Sequence, residues 1–504
     1  MRYIGTLLLL ICLWLSMQAR LYPMQYVNRF GFQDTVRLEL LDAIRLGMER
    51  SVNAVVVKNE YIWAYWTYRM YKTELLPEFV LNGTIPYYSN SYNMRQNDDG
   101  SYTYVENNYF QINGGLSVSQ NIPLTGGQIT VGSQLEYLRQ MGNNSFNRYY
   151  TLPFSVKLEQ PLFSFNRVGW LRKIEPIRYQ ESRQKMVSGQ EEVALTVINY
   201  YFNLLLGRIN LETALQNREN AEKLYTIAEA RHRIGQMSEV ELLQMKSSRL
   251  SAEAALTDMQ ASFDARMFQL RSFLKFDEEI VLDAVIPDFL IEDIPRLVYA
   301  DVLQLARENN AFTKNVQRRL LEASRNVSQA KADRWNIKMT ASLGLAGQED
   351  NLQQAYNRNN WRNNQFIQVG ISIPILDWGK GEARIRTTES NREVINSQIE
   401  KEQMDFNQHI FLCVQNFNNQ SGQLKLAKEM DEIALKRYNT TIEAFVQGKM
   451  DILNLNDSQS RKDAARRNYI EQMFLLWSYH YQIRALTLYD FILQQPIKVE
   501  YPLN

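Results

Sequence analysis

The side chains able to do chemistry are few and scattered. His232, His409 and His480 lie far apart and share no metal-ligand spacing, so they read as structural or solvated residues. The 17 methionines are spread along the chain rather than gathered, which gives no support for copper or silver handling. Cys12 lies in an apolar leader and Cys413 stands alone, so no intramolecular disulfide can form. No nucleophile–base pair, glycine-rich phosphate loop or carboxylate dyad is present, and the reading is non-enzymatic: no catalytic residue, no cofactor and no metal site. The remaining charged residues of interest flank two glycines. Ser238-Glu239-Val240-Glu241, just after Gly235, has the spacing of a capping box. Asp451, just after Gly448-Lys449, stands where a carboxylate caps a helix, and Asp457 follows on what reads as a solvated face. These residues mark where helices turn back, so the helices come next.

From Gly379 to Val446 no proline interrupts the chain, and alternate steps of four and three residues pick out Phe406, Ile410, Cys413, Phe417, Gln420, Leu424, Ala427, Asp431, Ala434, Tyr438, Thr441 and Phe445. A 3.5-residue period keeps one seam on one side of a slightly underwound helix, the pattern of a coiled coil. Such a helix would be roughly 100 Å long, too long for an ordinary globular core. It closes at Gln447-Gly448-Lys449.

The rest of the chain alternates helix and strand. Residues 38–76 read as a helix ended by Pro77, and residues 78–163 switch to period two. Four amphipathic strands of about ten residues fit there, the length that crosses an outer membrane at a tilt, with polar loops at 89–108 and 139–148. Gln160-Pro161-Leu162-Phe163-Ser164-Phe165-Asn166 opens a second long helix, 166–234, which turns at 235–237 and returns over 238–275. A proline-punctuated connector, 277–298, leads to a helix at 299–333 and two strands within 337–376, separated by the polar loop 347–364. Ile373-Pro374-Ile375-Leu376-Asp377-Trp378-Gly379 then leads into the long helix 379–446, the turn 447–450, a return helix 451–493 and a tail 494–504.

The two halves are copies. Pro374 minus Pro161 and Gly448 minus Gly235 both give 213, and the same shift pairs Phe406 with Val193, Leu424 with Leu211 and Tyr438 with Tyr225. Before the strands the shift is 259, as in Asn336 against Pro77. The difference of 46 residues is about one β-hairpin with its loop, which matches four strands in the first repeat (20–276) and two in the second (299–493).

Composition sets the environment. Lys+Arg at 56 and Asp+Glu at 55 nearly cancel, leaving no basic field for nucleic acid and no acidic tail. Arg2 followed by the apolar run Leu7–Leu15 and by Met17-Gln18-Ala19 reads as a secretory signal over residues 1–19. Cys12 lacks the small residues that an acylation site needs. No later apolar run is long enough to cross a bilayer as a helix. The 28 tyrosines suit membrane interfaces, and Tyr87, Tyr88, Tyr109, Tyr149, Tyr150, Trp361 and Phe366 near strand ends read as interface girdles. Six strands cannot close a barrel alone, and open edges in lipid would leave backbone groups unpaired at several kcal/mol each. Copies must share a barrel; dimers give about twelve strands and trimers about eighteen, and geometry allows both.

With these features the chain resembles an outer-membrane efflux protein of the TolC family. The resemblance is carried by the duplicated half, the junctions Gln160-Pro161-Leu162-Phe163 and Ile373-Pro374-Ile375-Leu376, and the glycines Gly235 and Gly448. It also rests on Asp451-Ile452-Leu453-Asn454-Leu455-Asn456-Asp457-Ser458-Gln459 and on the leading helix 38–77. It implies an α+β membrane protein: a homotrimer whose open β-barrel sits in the outer-membrane lipid of a Gram-negative bacterium, continuous with a periplasmic tunnel of long helices. The implied function is the exit duct of a tripartite efflux or type I secretion system, opened when a periplasmic adaptor (membrane fusion) protein docks an inner-membrane pump. On the same resemblance Gly235, Gln236, Gly448 and Lys449 form the adaptor-docking turns, and Pro161, Pro374 and Gly379 mark the barrel-to-tunnel junction. Asp451, Asp457, Asn454 and Glu239 are candidates for the gate at the tip. Carboxylates facing a narrow axis would repel one another and hold cations, against the plainer reading of Asp451 as a cap. Two features depart from the family pattern: six strands per chain rather than four, which implies an eighteen-stranded rather than a twelve-stranded trimer, and asparagines where many members carry aspartates at the tip. The alternative is a non-pore periplasmic coiled-coil adaptor or scaffold, which would carry one helical hairpin flanked by soluble β-domains.

Overall fold

The computed structural model describes residues 35–142, 145–162, 164–287, 294–447 and 449–497; residues 1–34, which include the expected signal over 1–19, and Phe163, Gly448 and 498–504 lie outside them. The described residues begin with a short strand β1 (Thr35–Leu38) and helices α1 (Leu40–Arg50) and α2 (Val52–Glu74). The single helix expected over 38–76 is therefore broken. Ser51 has extended backbone between the two helices and its buried hydroxyl accepts from the Ala54 N–H at 3.1 Å, ending one helix and capping the next.

Strands β2 (Glu78–Gln96), β3 (Tyr102–Asn121), β4 (Gln128–Met141) and β5 (Phe146–Leu162) follow. After α3 (Arg167–Arg233) and α4 (Glu239–Phe273) comes β6 (Val281–Ala284), then α5 (Tyr299–Asn309) and α6 (Ala311–Ala332). Strand β7 (Asn336–Glu349), a short helix α7 (Leu352–Ala355) and β8 (Arg362–Ser372) precede α8 (Lys380–Val446) and α9 (Ile452–Thr487). The chain closes on a two-residue pair, β9 (Tyr489–Asp490) with β10 (Gln495–Pro496), so the return helix stops six residues before the expected 493.

Six strands form one antiparallel sheet in the order β2-β3-β4-β5-β7-β8, with β2 and β8 unpaired at its edges among the described residues. Several strands are longer than ten residues. The polar segment 89–108 expected as a loop is mostly strand, because β2 and β3 stay paired from Glu78↔Ser119 up to Gln96↔Tyr102. Cross-strand partners share a face. One face carries Phe79, Val118, Val131, Val156 and Leu343 as one row, with Ile129, Leu158, Ala341 and Ile367 beside it. The other face carries Ser117, Gly132, Ser155, Gly344 and Asn364, then Ser119, Thr130, Lys157 and Ser342. One side is mainly apolar, with Gln120 and Gln365 at the ends of these rows, and the other mainly polar or small, with Val80 and Phe366 at its edges.

Below the sheet, α3 and α8 each run 67 residues; 380 minus 167 and 446 minus 233 both equal 213, so both ends of the long helices obey one shift. Along the upper half the helices lie side by side as α2-α3-α6-α8, and along the lower half as α4-α3-α9-α8. Ile410, Cys413, Phe417, Gln420, Leu424, Ala427, Tyr438, Thr441 and Phe445 of the seam are buried. Midway along, α1, α3, α4, α5, α8 and α9 meet in one apolar cluster around Tyr201, Phe202, Leu205, Leu270, Ile410, Phe417 and Leu476. The connector is not featureless there: β6 pairs in parallel with β1, Thr35 with Val281 through Leu38 with Ala284. The buried Tyr201 hydroxyl donates to the Val285 carbonyl at 2.5 Å, with the Leu38 carbonyl at 2.9 Å. A smaller cluster of Leu224, Ala228, Met245, Tyr438, Phe445, Ile452 and Leu455 closes the far end.

Candidate functional site

Three places gather the residues singled out in the sequence: the helical tips, the strand-to-helix junctions and the sheet surface. At the first tip Gly235 takes a left-handed backbone, φ +76°, which a side chain would disfavour. The Gln236 N–H donates to the Arg231 carbonyl and the Gly235 N–H to the His232 carbonyl, both at 2.9 Å, the bonding of a glycine-ended helix. The capping box expected at Ser238 forms: Ser238 accepts from the Glu241 N–H, and the Glu241 carboxylate accepts from the Ser238 N–H at 2.9 Å. Those Ser238 bonds, backbone first, hold the Glu241 carboxyl below its ordinary range. Glu239 is exposed beside it.

At the second tip the Lys449 N–H donates to the Ala444 carbonyl at 2.9 Å; Gly448 itself lies outside the described residues. Asp451 caps α9, its carboxylate accepting from the Asn454 N–H at 2.8 Å, and the Asn454 side chain is exposed. Asp457 does not stand on a free solvated face. Its carboxylate takes bonds from Arg461 at 2.9 Å and from Arg437, across the hairpin on α8, at 2.7 Å. Arg461, then Arg437, draw its carboxyl below the ordinary range. Arg437 was not legible as a partner, since its pair with Asp457 joins two helices across a turn, whereas the i,i+4 spacing of Asp457 and Arg461 is a signal within one helix. In the half toward the tips, hydrogen bonds tie the first hairpin to the second: Asn217 to Asp463 at 2.8 Å, Asn220 to the Tyr438 hydroxyl at 3.1 Å and Arg231 to the Val446 carbonyl at 3.1 Å.

The two junctions differ. Pro161 lies inside β5, paired with Lys338, one residue before the strand ends; β4 pairs with β5 only as far as Glu159, so the missing N–H is tolerated. Helix α3 begins only at Arg167, capped by Asn166, whose side chain accepts from the Gly169 N–H at 2.8 Å. Pro374 lies beyond the end of β8 at Ser372. There Gly379 is left-handed at φ +85° and Asp377 accepts from the Gly381 and Gly379 N–H groups at 2.8 and 3.0 Å. Those backbone bonds, Gly381 first, keep the Asp377 carboxyl charged to lower pH than usual.

The girdle residues divide between the two faces of the sheet. Tyr88 pairs with Phe110 and Tyr149 with Tyr137 on the apolar side, whereas Tyr87, Tyr109, Tyr150 and Phe366 fall on the polar side. A β-bulge between Thr84 and Tyr87 reverses the alternation of β2, which period-two counting cannot foresee.

Two buried charge clusters were not visible in the sequence at all. Between α3 and α6, Glu181 accepts from Arg318 at 2.6 Å and from Asn315 at 2.9 Å. Burial works against its charge, but Arg318, Asn315 and Lys185 outweigh burial and hold it below the ordinary range. Near the C-terminal end of α9, Arg484 bridges Glu191 at 2.8 Å and Asp490 at 2.7 Å. His480 sits beside them, its Nε2 4.0 Å from Asp490. Burial first of all lowers its pKa to about 4. Among the described residues no group of three or more His, Cys, Asp or Glu could hold a metal ion, and no helix is long and apolar enough to cross a membrane.

Residues 128–274, from β4 through α4, match the family model of outer membrane efflux proteins. No curated protein matches the chain. Among solved structures the chain is similar to the Campylobacter jejuni CmeC outer membrane channel at 15% identity, covering 92% of this chain and 87% of that one, with a TM-score of 0.63. It is similar to the open state of the Neisseria gonorrhoeae MtrE outer membrane channel at 15% identity, covering 91% of each chain, with a TM-score of 0.60. The Vibrio cholerae outer membrane protein VceC gives 12% identity over 91% of this chain and 97% of that one, with a TM-score of 0.59. At these identities the likeness is one of fold.

Proposed function

We infer, from an outer membrane efflux protein segment over residues 128–274 and a fold shared along nearly the whole chain with outer membrane channels, that this protein is an outer-membrane channel-tunnel, the exit duct of a tripartite efflux system. The observation that carries the reading is the six-stranded sheet with one apolar face and two unpaired edges, continuous with two 67-residue helices.

Three copies complete it. The free edge of β8 pairs with β2 of the neighbouring copy, giving an eighteen-stranded barrel that leaves no backbone group unpaired in lipid. The same seam continues downward, because α8 lies at one side of each chain while α2 and α4 lie at the other. Met404, Leu426, Met430 and Ile433 on α8, Trp63, Trp66 and Met70 on α2, and Leu243, Leu250 and Phe268 on α4 are exposed in the single chain and cover one another in the trimer. The four long helices of each copy then form the tunnel wall. The apolar face of the sheet meets the lipid and the polar face lines the pore.

At the tips, Gly235, Gln236, Gly448 and Lys449 make the turns on which a periplasmic adaptor docks to couple an inner-membrane pump, and the exposed Ile234, Val240 and Leu453 beside them give apolar contact area. Asp451, Asp457, Asn454 and Glu239 lie at the constriction. Asp451 as a cap and Asp457 between two arginines present less free negative charge than a bare acidic ring would. A coiled-coil adaptor reading gains nothing from the sheet, whose apolar face would be left in water.

The test is fractionation followed by electrophysiology. The protein is expected in the outer membrane as a detergent-stable trimer that forms ion-conducting pores in planar bilayers. A soluble periplasmic monomer without conductance would sink the proposal.

A further inference from the structure

The β2–β3 hairpin rises above the rest of the sheet. The last partner of β3 on β4 is Asn108 with Met141, so from Ser91↔Asn107 to Gln96↔Tyr102 the two strands pair only with each other. Those six registers make a two-stranded ribbon about 20 Å long. Its tip is tied down. The Asn97 N–H donates to the Ser101 carbonyl at 2.8 Å, the Asn97 carboxamide reaches the Thr103 hydroxyl at 2.7 Å, and Asp99 accepts from the Ser101 N–H at 2.9 Å. Gly100 supplies the left-handed corner at φ +84°.

The two faces of this ribbon are unlike. Register places Tyr92, Met94, Tyr104 and Tyr102 together on one face, with Glu106 and Gln96, while Ser91, Asn93, Arg95, Thr103, Val105 and Asn107 occupy the other. Above the bulge the tyrosine face continues the side that carries Tyr88 and Phe110, which is the apolar side of the sheet. Tyr92, Tyr102 and Tyr104 are 67%, 62% and 70% exposed. Measured along β3 at the tilt of a barrel strand, the apolar row from Val118 to Phe110 spans about 20 Å of height, and Asn107, where the ribbon starts, lies about 28 Å above Val118, just past a lipid-facing band of about 25 Å. The ribbon therefore begins where hydrocarbon ends, and its aromatic face looks sideways over the surrounding outer leaflet rather than into the pore. A free two-stranded hairpin is marginal in water, so a bare aromatic face on one calls for cover.

We propose that the outward face of the ribbon, Tyr92, Met94, Tyr102 and Tyr104, binds the sugar chains of the glycolipid in the outer leaflet around the channel. Tyrosine rings stack on the apolar faces of sugar rings while their hydroxyls and the neighbouring Gln96 carboxamide hydrogen-bond the sugar hydroxyls. The face carries one carboxylate, Glu106, and no cation, so it suits uncharged sugars and not the phosphates nearer the lipid. This inference rests on the channel reading above, which places the ribbon on the outer side.

The experiment uses the full-length trimer in detergent. Its probe is the oligosaccharide released by mild acid from the outer-membrane glycolipid, with the sugar-free, phosphate-bearing lipid part as the comparison. Calorimetric titration is expected to show binding of the oligosaccharide, weakened about tenfold or more by Y92S/Y102S/Y104S together. The triple Tyr→Phe variant keeps most of the affinity, and Asn93→Ala with Thr103→Ala on the opposite face keeps all of it. If the triple serine protein does not fold, Tyr104→Ser alone, opposite Met94, gives the same direction at smaller size. Absence of oligosaccharide binding in a wild-type trimer that conducts overturns the proposal, as does equal binding by the serine variants or binding of the phosphate-bearing lipid alone. A protein that forms no pore refutes the channel reading itself, so the two failures are distinguishable.

Discussion

Arg231 and Val446 join the two helical hairpins at their tips: the guanidinium at the end of α3 donates to the last carbonyl of α8 at 3.1 Å. A cation on an unsatisfied helix-end carbonyl is a favourable contact, and it fixes one tip against the other. The Arg231 guanidinium also lies over the Phe445 ring, 6.0 Å from its centroid. Arg231→Ala is therefore expected to loosen the closed tip by about 1 kcal/mol per subunit and to raise the open fraction of single channels in planar bilayers. Unchanged open time would show that the tips are held elsewhere.

Asp457 is neutralised by Arg437 and Arg461, whereas Asp451 has a backbone N–H as its partner. Asp457→Ala is expected to leave divalent-cation block of the pore nearly unchanged. Asp451→Ala lowers thermal stability by about 1 kcal/mol through loss of the cap, and weakens any block that exists. Strong loss of block in Asp457→Ala alone would mean that its arginines leave the carboxylate in the open.

The burial of His480 gives stability an acid limit. An unfolded histidine takes up its proton near 6.5, and His480 in the fold does so only at about 4. Between those values the unfolded chain binds more protons, so stability falls as pH drops from 6.5 towards 4, by about 3 kcal/mol per chain. Thermal unfolding across that window should flatten in His480→Leu. An equal slope in both proteins would assign the acid sensitivity to other groups.

Arg318 answers Glu181, which is almost wholly buried against α6. Removing the cation strands a buried carboxylate, so Arg318→Met should destabilise by about 3 kcal/mol, and Glu181→Gln added to it should recover part of the loss. Additive losses in the double variant would show that the pair is not coupled.

Val131 lies between Val118 and Val156 on the apolar side of the sheet, and Thr130 lies between Ser119 and Lys157 on the other. Val131→Arg is expected to cost about 2–4 kcal/mol and reduce outer-membrane assembly, while Thr130→Arg assembles and alters ion selectivity. The reverse result would exchange the lipid and pore faces.

Much of this architecture was legible because its signals are periodic. The buried seam of α8 from Ile410 to Phe445, the glycine at 235 and the capping box at Ser238 need only local residues to be recognised. Ser51 was readable too, as a serine ahead of a helical run, but an unbroken apolar pattern hid it. What stayed hidden is non-local. Strands β1 and β6 are four residues each and pair across the whole first repeat, so neither carries a pattern of its own. The outer half of β2 alternates tyrosine with asparagine and serine and is exposed on both sides, so it read as a loop. Arg437, Arg318 and Glu191 reach Asp457, Glu181 and Arg484 from other helices, and no spacing within one helix reports those contacts.

The pairing of β5 with β7 has a consequence for how the chain matures. Leu162 pairs with Ile337, so 337 minus 162, a loop of 175 residues holding the entire first helical hairpin, must be closed before the sheet grows past its fourth strand. Closing it carries an entropic penalty of about 4–5 kcal/mol, whereas β2 to β5 form a meander of short local connections. During synthesis and export the meander is therefore expected to form first, with an apolar face and both edges bare, and to wait for the second repeat to arrive. That interval is when the nascent protein most needs periplasmic chaperones, and when strand-for-strand aggregation with another nascent copy competes with correct assembly.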